Sequence, residues 1–205
     1  MPRLVLVRHG QTAWNAEQRY QGHSDLDLDA VGRREAVALG ERLAGERIDG
    51  ALSSDLGRAW QTAEAILAHH ACDLCAEPRL REISMGAWEG MTYDEIRAQD
   101  PERLGQWVED PWGVAPSGGE TLAEMAQRIE ALLDELVLRS AEETLLLVSH
   151  GGTLRVLLCL ALGMPPQNHW RLRLDPASLS EVCLYSVGGI VTYLNDRQHL
   201  DRSQA

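Results

Sequence analysis

Two stretches of this chain share a pattern that leaves few folds open. LVLVRHG (4–10) and LLLVSHG (145–151) each run four apolar residues into one polar residue, a histidine and a glycine. Uninterrupted apolar runs of this length read as strands buried on both faces, which occur in parallel sheets covered by helices on either side. Between them, short apolar runs alternate with amphipathic stretches. Residues 29–46 have helical spacing, with Val31, Ala38, Leu39 and Leu43 on one side. Residues 56–69 place Ala59, Ala63, Ile66 and Leu67 likewise, with Asp55 as the expected cap. GALSS (50–54) and residues 73–77 read as two more strands. A capping box at Thr121-x-x-Glu124 opens a helix running to about residue 139. Residues 152–162 form a helix stopped by Gly163, Pro165 and Pro166. SEVCLYSV and IVTYLN around Gly188-Gly189 predict a hairpin. Residues 80–120 differ in texture: Gly, Pro, Trp and acids, with a second capping box at Thr92-x-x-Glu95. The expectation is an α/β fold, a three-layer sandwich. A mostly parallel central sheet carries helices on both faces, a small helical and loop insertion over the site, and a C-terminal hairpin. Residues 1–205 then make one domain, with a frayed tail after Leu200.

In open parallel sheets ligands gather at the carboxyl ends of the strands. Parallel alignment of the two runs brings His9 and His150 to one edge from opposite ends of the chain. Each following glycine lets the backbone turn and its amide approach a ligand. One His-Gly would merely satisfy a strand-end carbonyl; two at equivalent ends mark a site. SSDLGR (53–58) adds Arg58 in the first turn of a helix, where the dipole disfavours a cation. An anion-binding pocket explains it, because guanidinium donors match phosphate oxygens in pairs. Arg8, His9, Arg58 and His150 therefore predict a cationic cluster.

That cluster must be local, because the 205-residue chain carries a formal net charge of -12. So acidic a surface argues against nucleic acid and against anionic membranes as partners. No span approaches the roughly 20 apolar residues of a transmembrane helix. The short apolar run closed by Arg8 predicts no signal peptide and a cytoplasmic location. Cys72, Cys75, Cys159 and Cys183 read as free thiols; Cys72-Asp-Leu-Cys75 lacks the second pair that zinc would want.

Five blocks now stand in order. RHGQTAWN (8–15), with Arg19, Gln21-Gly22 and Asp27 following, is the first, and SSDLGRAWQTA (53–63) the second. RLREISMGAWEG (79–90), PSGGETLAEMAQRI (116–129) and LLLVSHGGTLR (145–155) complete them. They resemble the histidine phosphatase superfamily, in its phosphoglycerate-mutase-like branch, over about residues 4–196. The resemblance implies that His9 attacks phosphorus and becomes a phosphohistidine, which water hydrolyses. It implies that Arg8, Arg58 and His150 hold the phosphoryl oxygens, and that Glu82 protonates the leaving oxygen. Such a carboxyl needs a pKa raised by burial or by the phosphate charge. Asn15, Gln21, Gly22 and Thr12 are carried over as phosphate or substrate contacts, and Gly151 as a backbone amide. No metal and no cofactor are implied, since cationic side chains take the part that Mg²⁺ plays elsewhere.

The expected function is a metal-independent phosphomonoester hydrolase acting on a small metabolite. The insertion, about 83–120, would form the active-site lid, and Trp88, Trp107 and Trp112 either line the pocket or pack the lid. Residues 84–120 hold only Arg97 and Arg103 as cations. That speaks against the alternative of a cofactor-dependent phosphoglycerate mutase and for a neutral or aromatic alcohol. GAWEGMTYDEI and GGETLAE resemble alpha-ribazole phosphatases, whereas phosphoserine-specific relatives place a histidine where Met85 stands. A non-catalytic phosphate-binding regulatory protein is the remaining alternative; a product burst with an aryl phosphate would exclude it. A homodimer stays open.

Overall fold

The computed structural model describes residues 2–201. In chain order it runs β1 (Arg3–Arg8), α1 (Ala13–Ala16), α2 (Ala30–Leu43), β2 (Gly50–Ser53), α3 (Gly57–Leu67) and β3 (Leu74–Ala76). The insertion follows with α4 (Tyr93–Gln99) and α5 (Pro101–Glu109). Then come α6 (Leu122–Leu136), β4 (Thr144–Ser149), α7 (Gly151–Ala161), β5 (Leu179–Tyr185), β6 (Gly188–Asp196) and α8 (Gln198–Asp201). Short 3₁₀ turns occur at Pro78–Leu80, Gly86–Trp88 and Pro166–Arg171.

The strands form one sheet in the order β3-β2-β4-β1-β5-β6. β4 lies parallel to both of its neighbours, β1 and β2, and β5 and β6 add the antiparallel edge. Side chains alternate across the two central strands. Leu4, Leu6, Leu145 and Leu147 pack under α6 and α7 with Met125, Ile129 and Leu157. Val5, Val7, Leu146 and Val148 pack under α2 and α3 with Leu39, Ala63 and Ile66. Burial on both faces explains why neither run carries a polar residue until its end; truncating such a leucine to alanine costs about 2–5 kcal/mol.

The register positions the site. Arg3 pairs with Thr144 and the ladder continues to Arg8 opposite Ser149. The His9 N–H then donates to the Ser149 carbonyl at 3.0 Å, so His9 and His150 leave the sheet together.

Some local expectations are corrected. Asp55 does not cap α3. The N-cap is Leu56, without a side-chain bond, and Asp55 instead pairs with Arg81. The Gly57 N–H is taken at 2.6 Å by Asp25, a carboxylate from a distant loop. The hairpin turns at Ser186 and Val187, and Gly188, with φ of +132°, already opens β6. Val31 is surface-exposed, off the apolar side assigned to it. The tail beyond residue 201 lies outside the described residues. The insertion has its own small core of Met85, Trp88, Ile96 and Leu104, flanked by Tyr20 and Trp107.

Candidate active site

The His9 and His150 rings stand 5.0 Å apart between centroids, inclined at 63°. His9 Nδ1 lies 2.7 Å from the Gly10 carbonyl. A carbonyl only accepts, so Nδ1 carries the proton and Nε2 keeps its lone pair. Burial holds the His9 pKa well below the usual imidazole value, and the charges of Arg58 and Arg8 push it further down. His150 accepts at Nδ1 from Arg58 Nε at 3.2 Å, so its Nε2–H donates to Ser54 Oγ at 2.8 Å. Burial, then Arg58, also holds His150 well below its usual value. The expected cluster of four cations is therefore two guanidiniums and two neutral imidazoles. Two imidazolium rings this close, both buried beside Arg58, would repel each other and lose their hydration.

Arg58 is fully buried. Burial lowers its pKa to about 10, which leaves it charged at neutral pH. Its Nη1 and Nη2 donate to the carbonyls of Ser24 and Gly22, both at 2.8 Å. With the bond to His150, three of its five N–H groups are held by the protein and two remain. Arg8 Nη1 donates to the Leu174 carbonyl at 2.6 Å, while its buried Nε has no partner among the described residues. Gly151 lies flat against this guanidinium: a Cβ there would come 3.2 Å from Arg8 Cζ.

Asn15, Gln21 and Gly22 line the cavity, and Thr12 stands behind them. Thr12 caps α1, exchanges hydrogen bonds with Asn15, and places its hydroxyl 3.1 Å from Gln21 Oε1. It positions the two amides and does not reach the wall. Gly22 has φ of +52°, a conformation open to glycine, and the Glu89 carboxylate occupies the space of a Cβ. Glu89 accepts from the backbone N–H groups of His23 at 2.8 Å and Ser24 at 2.7 Å, and so shapes the loop that bears Gln21 and Gly22. Nothing in the sequence distinguishes Glu89 from a solvated acid.

Glu82 reaches the N-terminus of α7. Its Oε2 accepts from the Gly152 N–H at 2.9 Å, and Oε1 from Ile83 at 3.0 Å and Thr153 at 3.2 Å. A Cβ at position 152 would collide with this carboxylate. Burial pushes the Glu82 pKa up, but the Gly152 hydrogen bond, the Arg155 charge, the Ile83 N–H and Arg8 outweigh it. The net shift is downward, so Glu82 is ionised at neutral pH until further negative charge arrives. Its loop is tied down: the Glu82 carbonyl accepts from His23 Nε2 at 2.9 Å and from Arg128 Nη2 at 3.2 Å.

The groups face a cavity of about 230 Å³. Its far wall is apolar, built from Ile83, Met85, Trp107 and Pro111 of the insertion with Leu122 and Met125 of α6. Trp107 lines the cavity, Trp88 packs inside the insertion edge-on to it, and Trp112 is partly exposed away from the wall. The cations counted in the insertion, Arg97 and Arg103, are not on the wall. Arg19, Arg155 and His169 are, and the sequence reading missed the last two. No group of three or more His, Cys, Asp or Glu side chains suited to a metal occurs among the described residues. Nor is any described helix long and apolar enough to cross a membrane. Cys72 and Cys75 are free thiols.

A neutral imidazole lone pair, uncommitted guanidinium donors and a carboxylate around one small cavity define a phosphoryl-transfer enzyme of the phosphatase kind. The chain belongs to the histidine phosphatase superfamily, branch 1, with a match over residues 4–197. It is 35% identical to phosphoserine phosphatase 1 of Hydrogenobacter thermophilus over 200 residues, covering 98% of this chain and 95% of the relative. It is 37% identical over 206 residues to a Yersinia enterocolitica protein named probable phosphoglycerate mutase GpmB, covering 98% and 96%. The crystal structure of alpha-ribazole phosphatase from Shigella flexneri superposes with a TM-score of 0.89 at 30% identity, over 95% of this chain and 96% of that one. The fold and the enzyme class expected from the sequence both stand.

Proposed function

We propose that this phosphatase works through a phosphohistidine on His9. The observation that carries the reading is the fixed tautomer: Nδ1–H is spent on Gly10, and Nε2 enters a cavity with Arg8, Arg58 and Glu82. Nε2 attacks phosphorus with its lone pair as the P–O ester bond breaks. The entering phosphate offsets the positive charge of Arg8, so Glu82 binds a proton and gives it to the departing alkoxide. Glu82, again a carboxylate, takes a proton from water; the hydroxide attacks phosphorus, the P–N bond breaks, and phosphate leaves. Arg8, Arg58 and the α7 amide at Gly151 hold the phosphoryl oxygens, and His150 joins them when its Nε2–H turns from Ser54 Oγ to the phosphate, with Asn15, Gln21 and Gly22 beside them and Thr12 in support. Side chains supply the charge that a metal would bring. Residues about 83–120 act as the lid, within one domain.

The substrate is a small-molecule phosphomonoester. A cavity of about 230 Å³ lies below the ~300–1,000 Å³ of sites for drug-sized ligands. The likeness to an alpha-ribazole phosphatase supports alpha-ribazole phosphate as one substrate to assay. The likeness to GpmB supports phosphoglycerate mutase activity as the alternative. Four free thiols suit the reducing cytoplasm. The test is His9→Ala. The variant should fold but lose turnover, and acid-labile, base-stable phosphate should be trapped on the wild type alone. Substantial residual turnover removes the covalent step, and isomerisation of phosphoglycerate faster than hydrolysis of any ester tested selects the mutase.

A further inference from the structure

The ladder between β1 and β5 runs past its last strand pair, Val7 opposite Leu179, and reaches the catalytic residues. The Arg8 N–H donates to the Ser178 carbonyl at 3.2 Å, and the Ala177 N–H donates to the His9 carbonyl at 3.1 Å. Arg8 Nη1 adds its bond to the Leu174 carbonyl. Residues 174–178 thus hold Arg8 and His9 from behind. They turn sharply: the Ser178 N–H donates to the Asp175 carbonyl at 3.1 Å, with Pro176 and Ala177 between. Ala177 is buried and has φ of +53°, a conformation that favours glycine because a Cβ there crowds the following carbonyl. An alanine keeps it only while its surroundings impose it.

The groups that impose it come from the end of the chain. Asn195 Oδ1 accepts from the Asp175 N–H at 2.7 Å, and its Nδ2 donates to Asp175 Oδ2 at 3.0 Å. His199 Nε2 lies 3.0 Å from the Ala177 carbonyl, which only accepts, so Nε2 carries the proton. His199 Nδ1 is buried without a partner among the described residues. A leucine would fill this space and leave no polar atom unpaired; what the imidazole adds is the donor at Nε2. His199 does not line the catalytic cavity. It reaches His9 through one residue, from its Nε2–H to the Ala177 carbonyl and from the Ala177 N–H to the His9 carbonyl.

We propose that His199 is a positioning residue for the nucleophile: by holding the Ala177 carbonyl it keeps the turn that fixes the His9 backbone, and so sets the line along which His9 Nε2 meets phosphorus. This rests on the phosphohistidine reading above. Arg58 is anchored elsewhere, on the carbonyls of Gly22 and Ser24 and on His150. Loss of the brace therefore acts on attack by His9 more than on phosphate binding.

The test compares His199→Leu with His199→Gln in the full chain, each held well below its Tm. The glutamine amide stands near the imidazole Nε2 and keeps a donor. His199→Leu should lose roughly 10–100-fold in kcat/KM on nitrophenyl phosphate, the cost of a nucleophile displaced by up to about 1 Å. Inhibition by vanadate, which must bond His9, should weaken in step; inhibition by inorganic phosphate, which rests on the guanidiniums, should weaken far less. His199→Gln should keep most of the activity. In an Ala177→Gly background His199→Leu should cost less, since glycine holds the turn unaided. A folded His199→Leu with the wild-type kcat/KM, equal losses in the leucine and glutamine variants, equal weakening of vanadate and phosphate, or an equal cost in both backgrounds overturns the proposal. If His199→Leu does not fold, His199→Asn, whose amide stops short of the carbonyl, takes its place. A wild type that traps no phosphohistidine sinks the reading on which this rests; one that traps it, with His199→Leu at the wild-type kcat/KM, sinks only the positioning role.

Discussion

Replacing Glu82 with glutamine separates its two roles, as an acid and as a brace for α7. The carboxylate accepts three backbone N–H groups through two oxygens. A glutamine has one acceptor oxygen, so either orientation turns an NH₂ toward at least one donor. An unsatisfied buried donor costs about 1–3 kcal/mol. At about 2–4 °C per kcal/mol for a chain of this size, Tm should fall by about 2–12 °C. The chemical role has a different signature. Nitrophenolate departs without a proton, and the alkoxide of an alkyl phosphate does not. Glu82→Gln should therefore lose about 10²–10⁴-fold in kcat/KM, which reports the phosphorylation step alone, on an alkyl phosphomonoester and only a few-fold on nitrophenyl phosphate. Steady-state kinetics on both esters, with a melting curve on the same preparation, reads all of this. Equal losses on the two esters would refute the acid role and leave Glu82 as a brace.

EDTA should leave activity intact and vanadate should inhibit, since it adopts the five-coordinate geometry of phosphoryl transfer at His9; activity that needs added Mg²⁺ or Zn²⁺ contradicts the side-chain mechanism. His9 and His150, held neutral by burial and by Arg58, bind protons less readily folded than unfolded. Stability should therefore be flat above the unfolded histidine pKa of about 6.5 and fall as pH drops below it, by up to ~1.4 kcal/mol per pH unit per histidine. Urea unfolding across that range measures the slope, and a Tm rising toward acid pH would refute the neutral assignment. Nitrogen NMR should show both rings neutral at pH 6.

The legibility of this site depended on what each residue signals locally. His9 and His150 could be read because the same strand end occurs twice, and Arg58 because it defies the helix dipole. Arg155 could not: on a sequence it is an ordinary helical arginine, and only the folded cavity wall gives it meaning. Counting cations inside the insertion missed it, because Arg155 and His169 come from α7 and the turn that follows it. Asp55 shows the same limit. It satisfied every local rule for a cap, yet Asp25 reaches the Gly57 amide and Arg81 claims Asp55. The Glu82 pKa was expected to be raised by burial or by the phosphate charge; without phosphate, the Gly152 and Ile83 amides and the charges of Arg155 and Arg8 outweigh burial and reverse the sign.

The position of β4 has a consequence for synthesis on the ribosome. β1 is made long before its sheet neighbours β4 and β5, and Arg3 must wait for Thr144. At about 5–20 residues per second, the wait is about 7–28 s. Through that interval LVLV has bare edges and apolar faces, and loop closure must be met before the contact returns anything. Because β1 and β2 touch only through β4, the amino-terminal two-thirds of the chain cannot assemble the centre of the sheet by itself. The nascent chain is therefore a natural client for chaperones, and a truncation before residue 144 should aggregate.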